Sequence, residues 1–123
     1  MTHEWRNRGA ETKDYAILTD EISKGTFGIT TGEHKEIKHI KKQNLRDNMT
    51  SMELALMTLA EVTTTELHKS NDSQGVPELK SDAKTGGKIV GKTRKDIEKK
   101  IGKSVVSSKN AKDIIGENKK KLK

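Results

Sequence analysis

The chain has 123 residues, of which 29% are hydrophobic and 2% aromatic; it has no cysteine and carries a formal net charge of +7. That length suits one domain, and the missing cysteines exclude a disulfide framework and a thiolate metal site. No apolar run approaches the ~20 residues that span a bilayer, and the opening M-T-H-E-W-R-N-R-G-A lacks the apolar region of a secretion signal, so a cytoplasmic setting is expected.

So little apolar material borders on the composition of disordered chains. Any core must be thin and built from Leu, Ile, Met and Ala, which favours helices over a sandwich of β-branched and aromatic residues. The expectation is an all-α, compact bundle of four to five helices with no sheet, a single domain over 1–123, ordered over about 5–115 and ending in a basic tail at 116–123.

A first helix is predicted over 13–24, with Tyr15, Leu18 and Ile22 on one face and Gly25 as its stop. Phe27, between Gly25 and Gly28, reads as a plug in the turn. A second helix starts near residue 31, where Thr30 and Glu33 have capping-box spacing. Asn44 to Asn48 is a polar link in which Arg46 and Asp47 anchor a corner, or Arg46 meets a phosphate. A third helix opens on a second capping box, Thr50 and Glu53, with Met49 and Leu54 placed as a hydrophobic staple. Met52, Leu56, Leu59, Thr63 and Leu67 form its apolar stripe, and it is the expected centre of the core, ending near Lys69.

Ser70 to Gly75 is a loop by composition, and Pro77 sits in the first turn of a fourth helix running to Gly102. Leu79, Ala83, Gly86, Val90, Ile97 and Ile101 share one face within about 60°. Lys80, Lys84, Lys88, Lys92, Lys95 and Lys99 share the opposite one within about 120°. Glu78, Asp82 and Asp96 lie on a flank. A short fifth helix, capped by Ser107 or Ser108, reaches Ile115.

Within the fourth helix, Gly86, Gly91, Lys92 and Thr93 complete G-x-x-x-x-G-K-[ST], the phosphate-cradling loop of nucleotide-binding folds. That loop needs a buried strand before it, and P-E-L-K-S-D-A-K-T has neither the apolar content nor the alternation of one. No nucleotide and no other cofactor is expected. The glycines Gly86, Gly87 and Gly91 then need another cause, since each costs ~1 kcal/mol against alanine in a helix. Close packing against a second helix supplies one; a break at Gly86-Gly87, with Thr85 capping a new segment, is the alternative.

Charge is unevenly placed. Residues 76–123 hold 15 of the 25 Lys/Arg but only 6 of the 18 Asp/Glu, whereas 51–75 hold 1 and 4. Segregation of this kind suits a polyanionic partner. Two basic surfaces follow: Lys35, Lys38, Lys41, Lys42 and Arg46, and the stripe Lys84, Lys88, Lys92, Lys95 and Lys99 with Arg94. Lysines without interleaved aromatics suit contact with phosphates, not stacking or base reading. The histidines His3, His34, His39 and His68 form no H-x-x-x-H pair, and no metal site is expected. Thr63, Thr64 and Thr65 have no base at nucleophile spacing, so no catalytic residue is assigned.

Several runs together carry a family resemblance: K-D-Y-A-I-L-T-D-E-I-S-K-G-T-F-G, K-E-I-K-H-I-K-K-Q-N-L-R-D-N-M-T, T-T-E-L-H-K-S-N-D-S-Q-G, A-K-T-G-G-K-I-V-G and K-S-V-V-S-S-K-N. In order and spacing, from about Trp5 to Ile115, the chain resembles the C-terminal region of the DNA-damage-inducible protein D family and its phage relatives, the BRO-type antirepressors. In that family an N-terminal domain thought to bind DNA precedes this region, so the chain is expected to be an excised domain or a stand-alone relative. The resemblance implies a bacterial or prophage setting and a part in the DNA-damage response or phage regulation. It also implies a glycine pair near Gly86 and Gly87, without a requirement for Lys92-Thr93. The expected function is a non-enzymatic accessory module contacting DNA or a DNA-bound complex. The alternative is a helical interaction domain, possible as a homodimer, whose lysines keep it soluble.

Overall fold

The computed structural model describes residues 2–121, and among these it contains helices and turns but no strand. Six α-helices follow in order: α1 (Thr2–Asn7), α2 (Tyr15–Phe27), α3 (Thr31–Ile37), α4 (Ser51–Asn71), α5 (Val76–Ile101) and α6 (Ala111–Lys121). Short 3-10 turns at Thr12–Asp14 and Arg46–Asn48 precede α2 and α4. The all-α bundle expected from composition is therefore the fold.

Local chemistry sets most of the boundaries. Thr30 and Glu33 form a reciprocal capping box on α3, each side chain satisfying a free backbone amide of the other. Thr50 and Glu53 do the same for α4. Pro77 stands in the first turn of α5, where its missing N–H removes no helical bond. Gly102 ends α5 with φ 74°, a left-handed conformation that glycine adopts without strain. The α5 helix is continuous, so the break at Gly86-Gly87 does not occur.

Other expectations are corrected. The α2 helix runs through Gly25 and stops at Gly28, because Gly25 is needed inside the helix for packing. The α1 helix, unexpected from sequence, carries Trp5 into the core. The α6 helix is capped by Asn110, not Ser107 or Ser108: the Asn110 side chain accepts from the Asp113 amide, and Asp113 accepts from the Asn110 amide. The segment expected as a basic tail from 116 continues α6 to Lys121; its last two positions, Leu122 and Lys123, lie outside the described residues.

The bundle is organised around α5, which packs on both α2 and α4, with α2 and α4 also touching. This differs from the expected centre, α4. Its stripe is also rotated: Glu53, Leu56, Met57, Ala60, Thr64 and His68 face inward, while Met52 and Leu59 are 42% and 47% exposed. Leu54 of the expected staple is exposed too, while Met49 is in the core. Small residues explain the rotation. Gly86 of α5 lies so close to Thr64 of α4 that an added Cβ would overlap the Thr64 hydroxyl, and the buried Ala60 and Thr64 form the face of α4 turned to that approach.

Glycine also sets the α2–α5 crossing. A Cβ on Gly25 would lie 2.6 Å from the Gly87 carbonyl carbon and 2.8 Å from the Lys88 nitrogen. A Cβ on Gly87 would lie 2.8 Å from the Ile22 carbonyl oxygen, and one on Gly91 would overlap the Gly25 carbonyl oxygen. Backbone meets backbone here, with Leu18 and Ile22 of α2 and Leu79, Ala83 and Val90 of α5 buried in the same core.

Two buried polar networks complete the interior. In one, Lys38 Nζ donates to Glu53 Oε1 at 2.5 Å and to the carbonyls of Ser107 and Lys109 at 2.9 and 2.6 Å. His34 Nε2 lies 2.6 Å from Glu53 Oε2, which also accepts from the Ser107 amide. Burial by itself pushes the Glu53 carboxyl up, but the His34 and Lys38 hydrogen bonds and the Thr50 and Ser107 amides overcome it and hold the carboxyl down at about 2. This network pins the segment after α5 to α3 and α4.

In the other, Trp5 Nε1 donates to His68 Nε2 at 3.1 Å, and His68 Nδ1 meets Asp82 Oδ2 at 2.9 Å. An indole only donates, so Nε2 is the acceptor and the His68 proton sits on Nδ1, facing Asp82. Asp82 also accepts from Ser73 Oγ and from Asn71 Nδ2. Burial raises the Asp82 carboxyl, but the Ser73, His68 and Asn71 hydrogen bonds leave it below its ordinary value. Trp5→Phe keeps most of the apolar volume and removes the indole donor. It is expected to cost about 1–3 kcal/mol through the unpaired His68 nitrogen, read from circular dichroism during denaturant unfolding.

Candidate nucleic-acid interface

The glycine crossing leaves an open groove of about 750 Å³ along the outer side of α2 and α5. Its floor is backbone at Gly25, Gly28 and Gly91, and Lys24, Lys84, Lys88, Lys92 and Lys95 stand along it. At 100° per residue, Lys84, Lys88, Lys92, Lys95 and Lys99 fall within an arc of about 80°. Lys84, Lys88, Lys92, Lys95 and Lys99 are exposed, and among the described residues none has a carboxylate within ion-pair distance. The one acid lining the groove, Glu21, is mostly buried and lies 3.8 Å from Lys24 and 3.9 Å from Lys80.

The residues expected to bind phosphate divide into three groups. Lys84, Lys88, Lys92 and Lys95 line the groove together, and Lys99 continues their row one turn beyond it. Arg94 lines the groove too, but its Nε donates to the Thr26 carbonyl at 2.6 Å and its NH1 pairs with Glu98 at 2.7 Å. It caps the C-terminal end of α2 and offsets the negative end of that helix dipole, which would otherwise oppose an anion in the groove. Its role is positioning, because its fork is already engaged.

The cluster near α3 is broken up. Lys38 is a correction: its side chain is 0% exposed and fully committed to Glu53 and two carbonyls, so it cannot reach a phosphate. Arg46 is exposed but pairs with Glu61 at 2.6 Å and reaches the Thr58 hydroxyl, the corner-anchoring role. Lys41 and Lys42 stay exposed and Lys35 half-buried, without the groove that gathers the α5 lysines. Sequence reasoning missed Lys24, which reaches the groove from α2. The available signal was the matching of Gly25 with the Gly87/Gly91 pair four residues apart, a small-residue spacing that marks a close helix crossing.

The phosphate-loop pattern is decided by local structure. Lys84 to Thr93 are helical throughout, so their amides are engaged in the helix ladder and cannot cradle a phosphate. Gly86 and Gly91 face α4 and α2. Nor does the buried His68–Asp82–Ser73 network form a nucleophilic triad: Ser73 donates to Asp82 instead of His68, and Trp5 occupies the His68 nitrogen that would act as base. No group of three metal-ligating side chains comes together among the described residues, and no helix among them is long and apolar enough to cross a membrane.

Chemically, the groove offers a row of exposed ammonium point charges beside bare glycine backbone. It has no free guanidinium fork for bidentate base recognition. Compared with protein-family models, curated proteins and solved structures, the chain finds no significant match in any of the three.

Proposed function

We propose that this chain is a non-enzymatic accessory module that holds the phosphate backbone of DNA, free or within a protein complex, in the α2–α5 groove. The observation that carries this reading is the row of unpaired lysines from Lys84 to Lys99, raised on one face of a continuous helix and gathered with Lys24 over a glycine floor. Among the described residues these exposed like charges of α5 have no carboxylate within ion-pair distance, and Glu21, the one acid lining the groove, is mostly buried and faces Lys24 and Lys80. The resemblance to the DNA-damage-inducible protein D and BRO-type family supplies the setting: a bacterial or prophage protein of the cytoplasm, acting in DNA-damage response or phage regulation.

Binding through lysines alone is expected to be weakly sequence-dependent and steeply salt-dependent. Four phosphates neutralised give a log–log salt slope of about −3.6, so raising salt from about 50 to 200 mM weakens binding roughly 150-fold. A fluorescence-anisotropy titration at both salts reads this directly. The exposed triple variant K84E/K88E/K92E should lose binding while its circular dichroism stays unchanged. Undiminished binding by that variant would refute the groove.

A second reading, a self-associating interaction domain, is favoured by the outward face of α4, where Met52, Leu59 and Val62 are 42%, 47% and 54% exposed. Light scattering across concentrations distinguishes it: a dimer dissociated by Leu59→Glu supports it, and a monomer at every concentration removes it.

A further inference from the structure

We infer that the ligand of the α2–α5 groove is duplex DNA followed along one phosphate strand, and not a single strand; this rests on the backbone-binding reading above. Three observations carry it. The first is where the aromatics are. A single strand is held by stacking its bases on aromatic faces, because it has fewer charges per unit length than a duplex and must be ordered on binding. All three aromatic residues of this chain are committed elsewhere. Trp5 is buried with its indole on His68, Tyr15 packs against Trp5 with ring centroids 5.7 Å apart, and Phe27 is buried edge-on to His34 at 5.0 Å. None lines the groove.

The second is stiffness. The lysines stand on one unbroken helix, α5, locked to α2 by backbone contact at Gly25, Gly87 and Gly91. Charges at fixed spacing match a ligand whose phosphates are already regularly placed, which the duplex is and a flexible strand is not. The third is reach. From Lys84 to Lys99 the row extends about 22 Å at 1.5 Å per residue, and because a phosphate strand winds about the duplex its phosphates lie farther apart than the axial rise of about 3.4 Å, so the row meets about four of them. The glycine floor lets the strand lie close to α2, and Arg94 on the Thr26 carbonyl keeps the end of α2 from repelling it.

The test compares a duplex of about 12 base pairs with each of its separate strands, by anisotropy at matched salt, using the whole chain. The duplex is expected to bind at least tenfold more tightly, with a salt slope near −0.9 per phosphate where single strands give about −0.7. Lys99→Glu, beyond the groove but on the row, should lower the duplex slope by about one unit. Equal or tighter binding of the single strands overturns the inference while leaving a backbone-binding groove. Failure of every DNA to bind overturns the groove itself.

Discussion

Gly91→Ala is expected to cost about 3 kcal/mol or more and to lower Tm by roughly 10–15 °C. Alanine has the higher helix propensity by about 1 kcal/mol, so a reading of local structure alone predicts the opposite sign. The new methyl would overlap the Gly25 carbonyl oxygen. That oxygen belongs to the backbone of α2 and cannot swing aside as a side-chain tip would; the two helices must separate, and Leu18, Ile22 and Val90 lose packing with them. Gly25→Ala meets the Gly87 and Lys88 backbone at 2.6–2.8 Å and should behave alike. The control is Gly116→Ala in α6, where an added Cβ has nothing within 4 Å; it should be neutral or stabilise by up to about 1 kcal/mol. Thermal and denaturant unfolding of the three variants decide the point. If Gly91→Ala gains stability as Gly116→Ala does, the helices do not cross this closely.

Glu53→Gln is expected to destabilise the fold by about 3–5 kcal/mol at neutral pH, because it leaves the Lys38 ammonium buried without its counter-charge. The pH dependence gives an independent signature. The folded carboxyl titrates at about 2 and the unfolded one at 4.5. The folded value is depressed, so its contribution is complete above pH 4.5 and is lost as pH falls toward 2, about 3 kcal/mol in all. Stability measured across that window should fall steeply in the wild type and more gently in Glu53→Gln. Lys38→Met alone should also be costly, leaving Glu53 short of a partner and the Ser107 and Lys109 carbonyls without a donor. The double variant K38M/E53M should recover part of the loss, since an apolar pair removes both buried charges at once. A double variant no better than the sum of the singles would show that the two side chains do not act as a pair.

Both results bear on function through position. The glycine crossing holds α5 against α2 and so places Lys24 beside the α5 row. The Lys38–Glu53 network holds the chain after Gly102 against α3 and α4, away from the groove's lining. A lysine that looked like one more surface charge therefore works as an internal clamp, and the basic surface is narrower than the charge count suggests.

Much of the architecture was legible because it depends on neighbours in sequence. Thr30 with Glu33, Thr50 with Glu53, Pro77 at the start of α5 and Gly102 at its end are devices completed within a single turn, and the structure uses all of them. The lysine row was legible for the same reason, since helical period alone aligns residues 84 to 99. Which lysines are paired was not: Lys38 sits at the C-terminal cap of α3, and only Glu53, 15 positions on, with carbonyls about 70 positions on, takes it inside. The same limit misplaced the inner face of α4. Apolar periodicity favoured Met52 and Leu59, whereas the buried face carries Glu53 and His68, whose burial depends on Lys38, His34, Asp82 and Trp5 in other elements. Composition, caps and periodicity thus determined an all-helical chain with one strongly basic helix. Which helix became central, and which lysines stayed free, was decided by tertiary contact. Backbone can meet backbone only where glycines from distant segments coincide, and a charge can be buried only where its partner arrives.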